Sequence, residues 1–368
     1  MRRHLAFFIW ITTILIIGMG LLAVYSASYH NPRVSDTVFT SQLVFAIVGL
    51  VLIQLLSQID YRKFFDLSYF FYGGCVFLLL LVMVVGRHAL GAQRWINFGP
   101  LSFQPSELAK LGLIFALGRY FSENISKISF SFLTLTQRLW RDLFFPFFLA
   151  LLPMVLIFKQ PDLGTAILMF GIFLIMLFVS GIHYRYYLSF LGVCLCLVPF
   201  AWHILKSYQR DRLLVFLNPN IDPLGAGYTI IQSKIAIGSG LLFGKGWLAG
   251  TQNQLNFLPE RHTDFIFSVI GEEWGLMGTI FLLACYAMLI TCGFIIAEQV
   301  KDKFGTQVTI GIVGILTLQV AINIGMVLGL CPVVGITLPL VSYGRTSFLI
   351  FVLMIGFLLN LSKRRTIF

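Results

Sequence analysis

Long apolar runs separated by short polar breaks dominate this chain. They lie at about 5–24, 39–57, 67–86, 104–120, 143–158, 163–181, 187–205, 265–297, 306–330 and 346–362. The runs are continuous rather than alternating, so each reads as a helix close to the length that crosses a bilayer. A bilayer core offers no water to stray backbone groups, and lipid-facing strands would alternate, which leaves helices rather than a barrel. The pattern therefore predicts an all-α, polytopic membrane helix bundle of about ten transmembrane spans. One long connection, 206–263, joins spans seven and eight. No linker divides the chain, so 1–368 reads as a single membrane domain with that loop inside it.

Composition supports the pattern. Hydrophobic residues make up 58% of the chain and charged residues 11%, against about 25% charged in a soluble domain; mean hydropathy is +0.90. The first run follows Met1-Arg2-Arg3-His4. Its length of about twenty residues and its lack of a small-x-small cleavage site mark a retained signal anchor. Cysteines 75, 194, 196, 285, 292 and 331 lie almost wholly inside apolar runs, without the spacing of a disulfide framework, and neither zinc nor haem ligation has a matching pattern. No internal repeat suggests a transporter's inverted symmetry.

The net charge of +11 raises nucleic acid as a partner, but the basic residues sit in short loops beside spans, where the positive-inside rule accounts for them. Arg2, Arg3, Arg62, Lys63, Lys301 and Lys303 are among those on the side of the two termini; the short loops opposite hold only Arg33, Arg87, Arg94, Lys159 and Arg345. Both termini are thus expected in the cytoplasm. Segment 206–263 falls outside and is still basic. Long loops translocate largely regardless of charge, and the excess fits either anionic headgroups or a phosphorylated, lipid-linked ligand. Within the loop, 230–242 has helical periodicity and reads as an amphipathic or re-entrant helix. Its GKG lacks the framing of a Walker motif. On the inner side, 123–142 is polar with interleaved aromatics and is expected along the cytoplasmic surface.

Polar residues where lipid should be are costly and therefore informative. In 256–275, NFLPERHTDFIFSVIGEEWG, Asp264 stands at the mouth of a span and is open to two readings, a helix N-cap or a catalytic carboxylate. Glu107 and Lys110 share one helical face at i and i+3. They read equally as a helix-locking ion pair or as a cation offered to a phosphate with its orienting acid. Asp162, beside Pro161, reads first as a turn former or N-cap. In 323–347, NIGMVLGLCPVVGITLPLVSYGRTS, a span is broken by Pro332, Gly335 and Pro339, which is tolerated only against protein or a wet cavity. Together these residues outline an outward-facing cavity with Lys110, Asp162, basic loop residues and Asp264 around it. His262 is too close in sequence to Asp264 to form a Ser-His-Asp arrangement.

At these residues the chain resembles the SEDS family (shape, elongation, division and sporulation), and its RodA branch rather than its FtsW branch. The resemblance covers nearly the whole length. It rests on RWINFGPLSFQPSELAK, QPDLGTA, YTIIQSKIAIGSGLLFGKGW, GTQNQLNFLPERHTDFIFSVIGEEWG and the closing GLCPVVGITLPLVSYG. It implies a ten-span peptidoglycan glycosyltransferase of the cytoplasmic membrane that polymerises lipid II in cell-wall elongation. The implied partners are a class B penicillin-binding protein transpeptidase and other elongation-complex membrane proteins. It places the family's essential aspartate on Asp264 and its paired fourth-span charges on Glu107 and Lys110. The chain departs from the usual SYGGSS ending with SYGRTS, where Arg345 replaces a glycine.

The chemistry expected is inverting glycosyl transfer. Asp264 takes the proton from the acceptor's sugar hydroxyl while that oxygen attacks the lipid-linked anomeric carbon, help worth about 10²- to 10⁴-fold. Undecaprenyl diphosphate leaves, and its charge needs cations, or a divalent metal such as Mg or Mn, close by. Lys110, Arg210, Lys234 and Arg261 are the candidate cations. The rival readings are a lipid II flippase and a non-catalytic scaffold for the transpeptidase. The grouping of Asp162, Arg210, Lys234, Arg261 and Asp264 at the outer end favours surface chemistry over transit.

Overall fold

The computed structural model describes residues 2–29, 32–89, 92–99, 101–128, 139–223 and 225–363. Three long helices open the chain, α1 (Arg2–Ser28), α2 (Pro32–Leu56) and α3 (Arg62–Val85), followed by a small antiparallel sheet, β1 (Arg87–Ala89), β2 (Ala92–Phe98) and β3 (Leu101–Phe103), in the order β1-β2-β3. Then come α4 (Pro105–Ile128), α5 (Phe145–Lys159, entered through a π turn at Trp140–Phe144), α6 (Leu163–Val179) and α7 (Tyr184–Ile204). The long connection carries α8 (Ser207–Leu217), α9 (Ala226–Ser239) and the single turn α10 (Thr251–Gln254) before α11 (Ile266–Gln299), α12 (Lys303–Val327) and α13 (Arg345–Lys363).

Seven stretches are long and apolar enough to cross a membrane: His4–Ser28, Thr37–Leu56, Arg62–Val85, Trp140–Lys159, Ile266–Gln299, Lys303–Val327 and Arg345–Lys363. Leu163–Val179 and Tyr184–Phe200 are shorter apolar helices. α12 and α13 lie at the centre, packed by α4, α6, α11 and α2. α7 touches little but α6 and turns Leu188, Val193, Leu195 and Phe200 outward, as a lipid-facing helix can.

The sheet at 87–103 is the departure from an all-helical expectation. Residues 129–138, within the stretch expected on the cytoplasmic surface, lie outside the described residues. The connection at 206–263 holds three helices rather than one. The eighth apolar run is also not continuous: α11 breaks at Gly275 (φ 63, ψ −158).

Between α12 and α13, residues 328–344 leave helical geometry, with Gly329 and Gly335 at φ 70 and 72. An unsatisfied carbonyl at membrane depth costs several kcal/mol, and side chains from four elements remove that cost here. Asn323 donates to Ile336 O (2.6 Å), Gln319 to Thr337 O (3.0 Å) and Tyr286 to Pro339 O (2.5 Å). Arg212 donates to Val333 O (3.1 Å) and Gln42 to Ser342 O (3.4 Å). The break is thus a fixed wall.

Candidate active site

That wall closes one side of a cavity of about 740 Å³. The α5–α6 turn supplies Pro161 and Asp162, β2 supplies Arg94 and Trp95, α4 supplies Glu107, and the start of α8 supplies Lys206, Tyr208 and Arg212. Glu260, Thr263 and Asp264 come from the turn before α11.

The 260–264 turn is strapped to the broken segment through its main chain. Tyr343 N donates to His262 O (2.8 Å), Ser342 Oγ to Thr263 O (2.6 Å) and Asn323 Nδ2 to Asp264 O (2.9 Å). The Asp264 carboxylate takes no part in this. The N-cap of α11 is Phe265, with no side-chain cap bond, so the capping reading of Asp264 fails on geometry. A Cβ built on Gly335 would stand 3.5 Å from Asp264 Oδ2, which sets the acid against the wall.

Electrostatics distinguishes this acid from its neighbours. Burial pushes the Asp264 carboxyl up to about 7; the Glu260 carboxylate adds to the rise, Arg212 opposes it, and Asp162 adds again. The other cavity acids have donors. Asp162 caps α6, accepting from Thr165 N (3.1 Å) and Thr165 Oγ1 (3.0 Å), with Gln104 Nε2 at 3.3 Å and Arg94 at 3.8 Å. Glu107 pairs with Lys110 at 2.9 Å, and Glu260 accepts from Thr263 Oγ1 at 3.1 Å. Among the described residues, the Asp264 carboxylate has no hydrogen-bond donor.

The expected site residues thus fall into two groups. Asp264, Glu107 and Asp162 line the cavity. Lys110, fully buried, stands behind the wall: its ammonium meets Glu107 Oε1 (2.9 Å), Gln319 Oε1 (3.0 Å) and the Phe351 ring (5.5 Å). It holds Glu107 in place and, through Gln319, the Thr337 carbonyl.

Arg210, Lys234 and Arg261 lie outside the cavity lining. Arg210 donates to His203 O (2.9 Å). Lys234 lies on α9 beside Gly329. Arg261 is engaged by Ala27 O (2.6 Å), Asn253 O (2.9 Å) and Asn256 Oδ1. The cations that do line the cavity are Arg94, Lys206 and Arg212, in place of the four expected from the sequence. Two residues along a helix turn it by about 200°, so Arg210 and Arg212 point apart and only one of them can face the cavity; the docking of α8, with Tyr208 on the cavity face at i−4, makes it Arg212. Among the described residues, no group of three His, Cys, Asp or Glu side chains converges to hold a metal ion.

The arrangement sets one undonated acid of raised pKa in a largely apolar hollow that Arg94, Lys206 and Arg212 also line, which suits proton abstraction beside a developing anion. The model of the FtsW/RodA/SpoVE family, described as cell cycle protein, matches residues 6–367. The peptidoglycan glycosyltransferase MrdB of Escherichia coli is 42% identical over 323 residues, covering 86% of this chain and 84% of that one. Among solved structures, a chain of a peptidoglycan synthase complex that coordinates polymerization and crosslinking matches with TM-score 0.80 at 34% identity, covering 96% of each chain. The rod shape determining protein RodA of Thermus thermophilus matches with TM-score 0.71 at 32% identity, covering 97% of this chain and 96% of that one. This chain therefore belongs to the FtsW/RodA/SpoVE family, the SEDS proteins, on a match that runs almost from end to end.

Proposed function

We propose that this multi-pass membrane peptidoglycan glycosyltransferase extends glycan strands from lipid II with Asp264 as its general base. The observation that carries the assignment is the unengaged Asp264 carboxylate, its pKa raised to about 7, in a cavity that also holds Arg94, Lys206 and Arg212. A base titrating near the working pH is both available and strong enough to accept a proton. In this reading the ionised Asp264 takes the proton of the acceptor sugar's hydroxyl as its oxygen bonds to the lipid-linked anomeric carbon. The bond from that carbon to undecaprenyl diphosphate breaks with inversion, and Arg94, Lys206 and Arg212 face the departing charge. Glu107, held by Lys110, and Asp162, held at its cap, orient polar groups of the sugar.

The topology proposed with it has ten spans, the seven long apolar helices together with α4, α6 and α7. Both termini are cytoplasmic and 206–263 is extracytoplasmic, all within one membrane domain. A class B penicillin-binding protein is the proposed partner. The test is polymer formation by purified protein from lipid II in vesicles: Asp264→Asn is expected to lower the rate by about 10²-fold or more. A variant that polymerises at the wild-type rate removes the assignment.

A further inference from the structure

The break at Gly275 is filled by another part of the chain. In an unbroken helix the amides of Leu276 and Met277 would bond the carbonyls of Glu272 and Glu273, four residues back. Here Leu276 N donates to Leu241 O (2.9 Å) and Met277 N to Leu242 O (3.1 Å), while Glu272 O accepts from Lys245 N (3.0 Å) and Glu273 O from Gly246 N (3.0 Å). Two helical hydrogen bonds are thus replaced by four bonds to residues 241–246. Gly275, at φ 63, and Gly244, at φ 80, permit the close approach.

The splice leaves an apolar tip pointing away from the protein. Leu241, Leu242 and Phe243 are 78%, 53% and 78% exposed. They adjoin the outward faces of Leu276, Met277, Ile280 and Phe281 on α11, which are also exposed. Two helices independently fix the depth of this tip. Counting about twenty residues of hydrocarbon core back from Ala297, the last apolar residue of α11, ends near Gly278, next to the splice. Counting about twenty forward from Leu5 on α1 ends near Val24. Trp247 Nε1 donates to Leu22 O there (3.4 Å), and its ring lies 5.8 Å from that of Tyr25. Both counts put the loop at the hydrocarbon boundary on the Asp264 side, where Trp is favoured.

We infer that Leu241, Leu242 and Phe243 are seated among the acyl chains of that leaflet, making residues 240–246 a membrane anchor spliced into a spanning helix. The covering partner is lipid rather than protein because the tip continues the lipid-facing surface of α11 and its backbone is turned onto the break.

The test places a nitroxide at Phe243→Cys, and separately at Leu242→Cys, in protein whose Cys194, Cys196 and Cys331 are serine, reconstituted in phospholipid vesicles. Collision with oxygen and with a nickel chelate is then compared. Labels at Leu276→Cys and Asn220→Cys give the lipid and loop references. Oxygen contact dominating at 242 and 243, as at 276, is the result expected. Nickel contact dominating, as at 220, or exclusion of both probes by a protein cover would overturn the inference. The readout is accessibility, so it stands or falls apart from the glycosyl-transfer assignment.

Discussion

The proposed base, with a pKa of about 7, predicts a steep pH profile of polymerisation where an ordinary aspartate would leave it flat. With the Asp264 carboxyl raised to about 7, roughly one enzyme in ten carries the ionised base at pH 6 and roughly nine in ten at pH 8, a change in initial rate of about tenfold. An aspartate near its usual value of about 3.9 would change by less than about 1% over that range. The neighbours supply a signed check. Arg212 lowers the pKa and Glu260 raises it, so Arg212→Gln moves the midpoint to higher pH and Glu260→Gln moves it lower. The assay is the initial rate of polymer from lipid II in vesicles between pH 5.5 and 8.5, with protein returned to pH 7.5 as a control for damage. A flat profile, or both substitutions shifting the midpoint the same way, refutes the reasoning.

Three further outcomes follow from buried groups. Lys110→Met leaves Glu107 without its cation and is expected to cost about 3–5 kcal/mol; the double change with Glu107→Gln recovers much of this, as read by thermal unfolding in detergent. Asn323→Leu strips donors from both Asp264 O and Ile336 O, each loss costing about 1–3 kcal/mol. It should lower kcat more than it raises KM, because the turn carrying the base loosens. Gly275→Ala sets a side chain at φ 63 and drives its Cβ into the backbone amide of Gly244. A cost above about 2 kcal/mol is expected, seen as a lower melting temperature, whereas Gly73→Ala, with open space around it, leaves the melt unchanged.

The long apolar stretches were legible because hydropathy length is a one-dimensional signal, and every one of them lies in a helix. The Glu107–Lys110 pair was legible for a similar reason, since i and i+3 on a helix meet whatever surrounds them. The cavity cations were not. Arg212 and Lys206 belong to a short helix whose facing depends on where the long loop docks, which only the bonds from Tyr208 Oη to Pro161 O (3.1 Å) and Arg212 to Val333 O settle. Arg261 read as a candidate ligand cation, yet α1, far away in sequence, and α10, eight residues back, bring main-chain carbonyls to it. GEEWGLMG carries three glycines and two acids, yet nothing in it says which glycine breaks the helix; only the loop that replaces the hydrogen bonds at Gly275 reveals it.

The same opposing influences on Asp264 imply that substrate tunes its own base. Arg212 is the neighbouring cation that holds the pKa down, against burial, Glu260 and Asp162. A diphosphate seated against Arg212, as proposed, would neutralise that cation and bring further negative charge near the carboxylate, so Asp264 would become a stronger base once the lipid-linked substrate is in place. Free enzyme would keep more of its acid ionised, while bound enzyme would hold a better proton acceptor. Because kcat/KM reports the free enzyme and kcat the complex, the midpoint in kcat should lie at higher pH than the midpoint in kcat/KM, and Arg212→Gln should bring the two together. Coincident midpoints in the unsubstituted enzyme would mean that the leaving diphosphate binds elsewhere and that Arg212 serves the wall alone, through Val333.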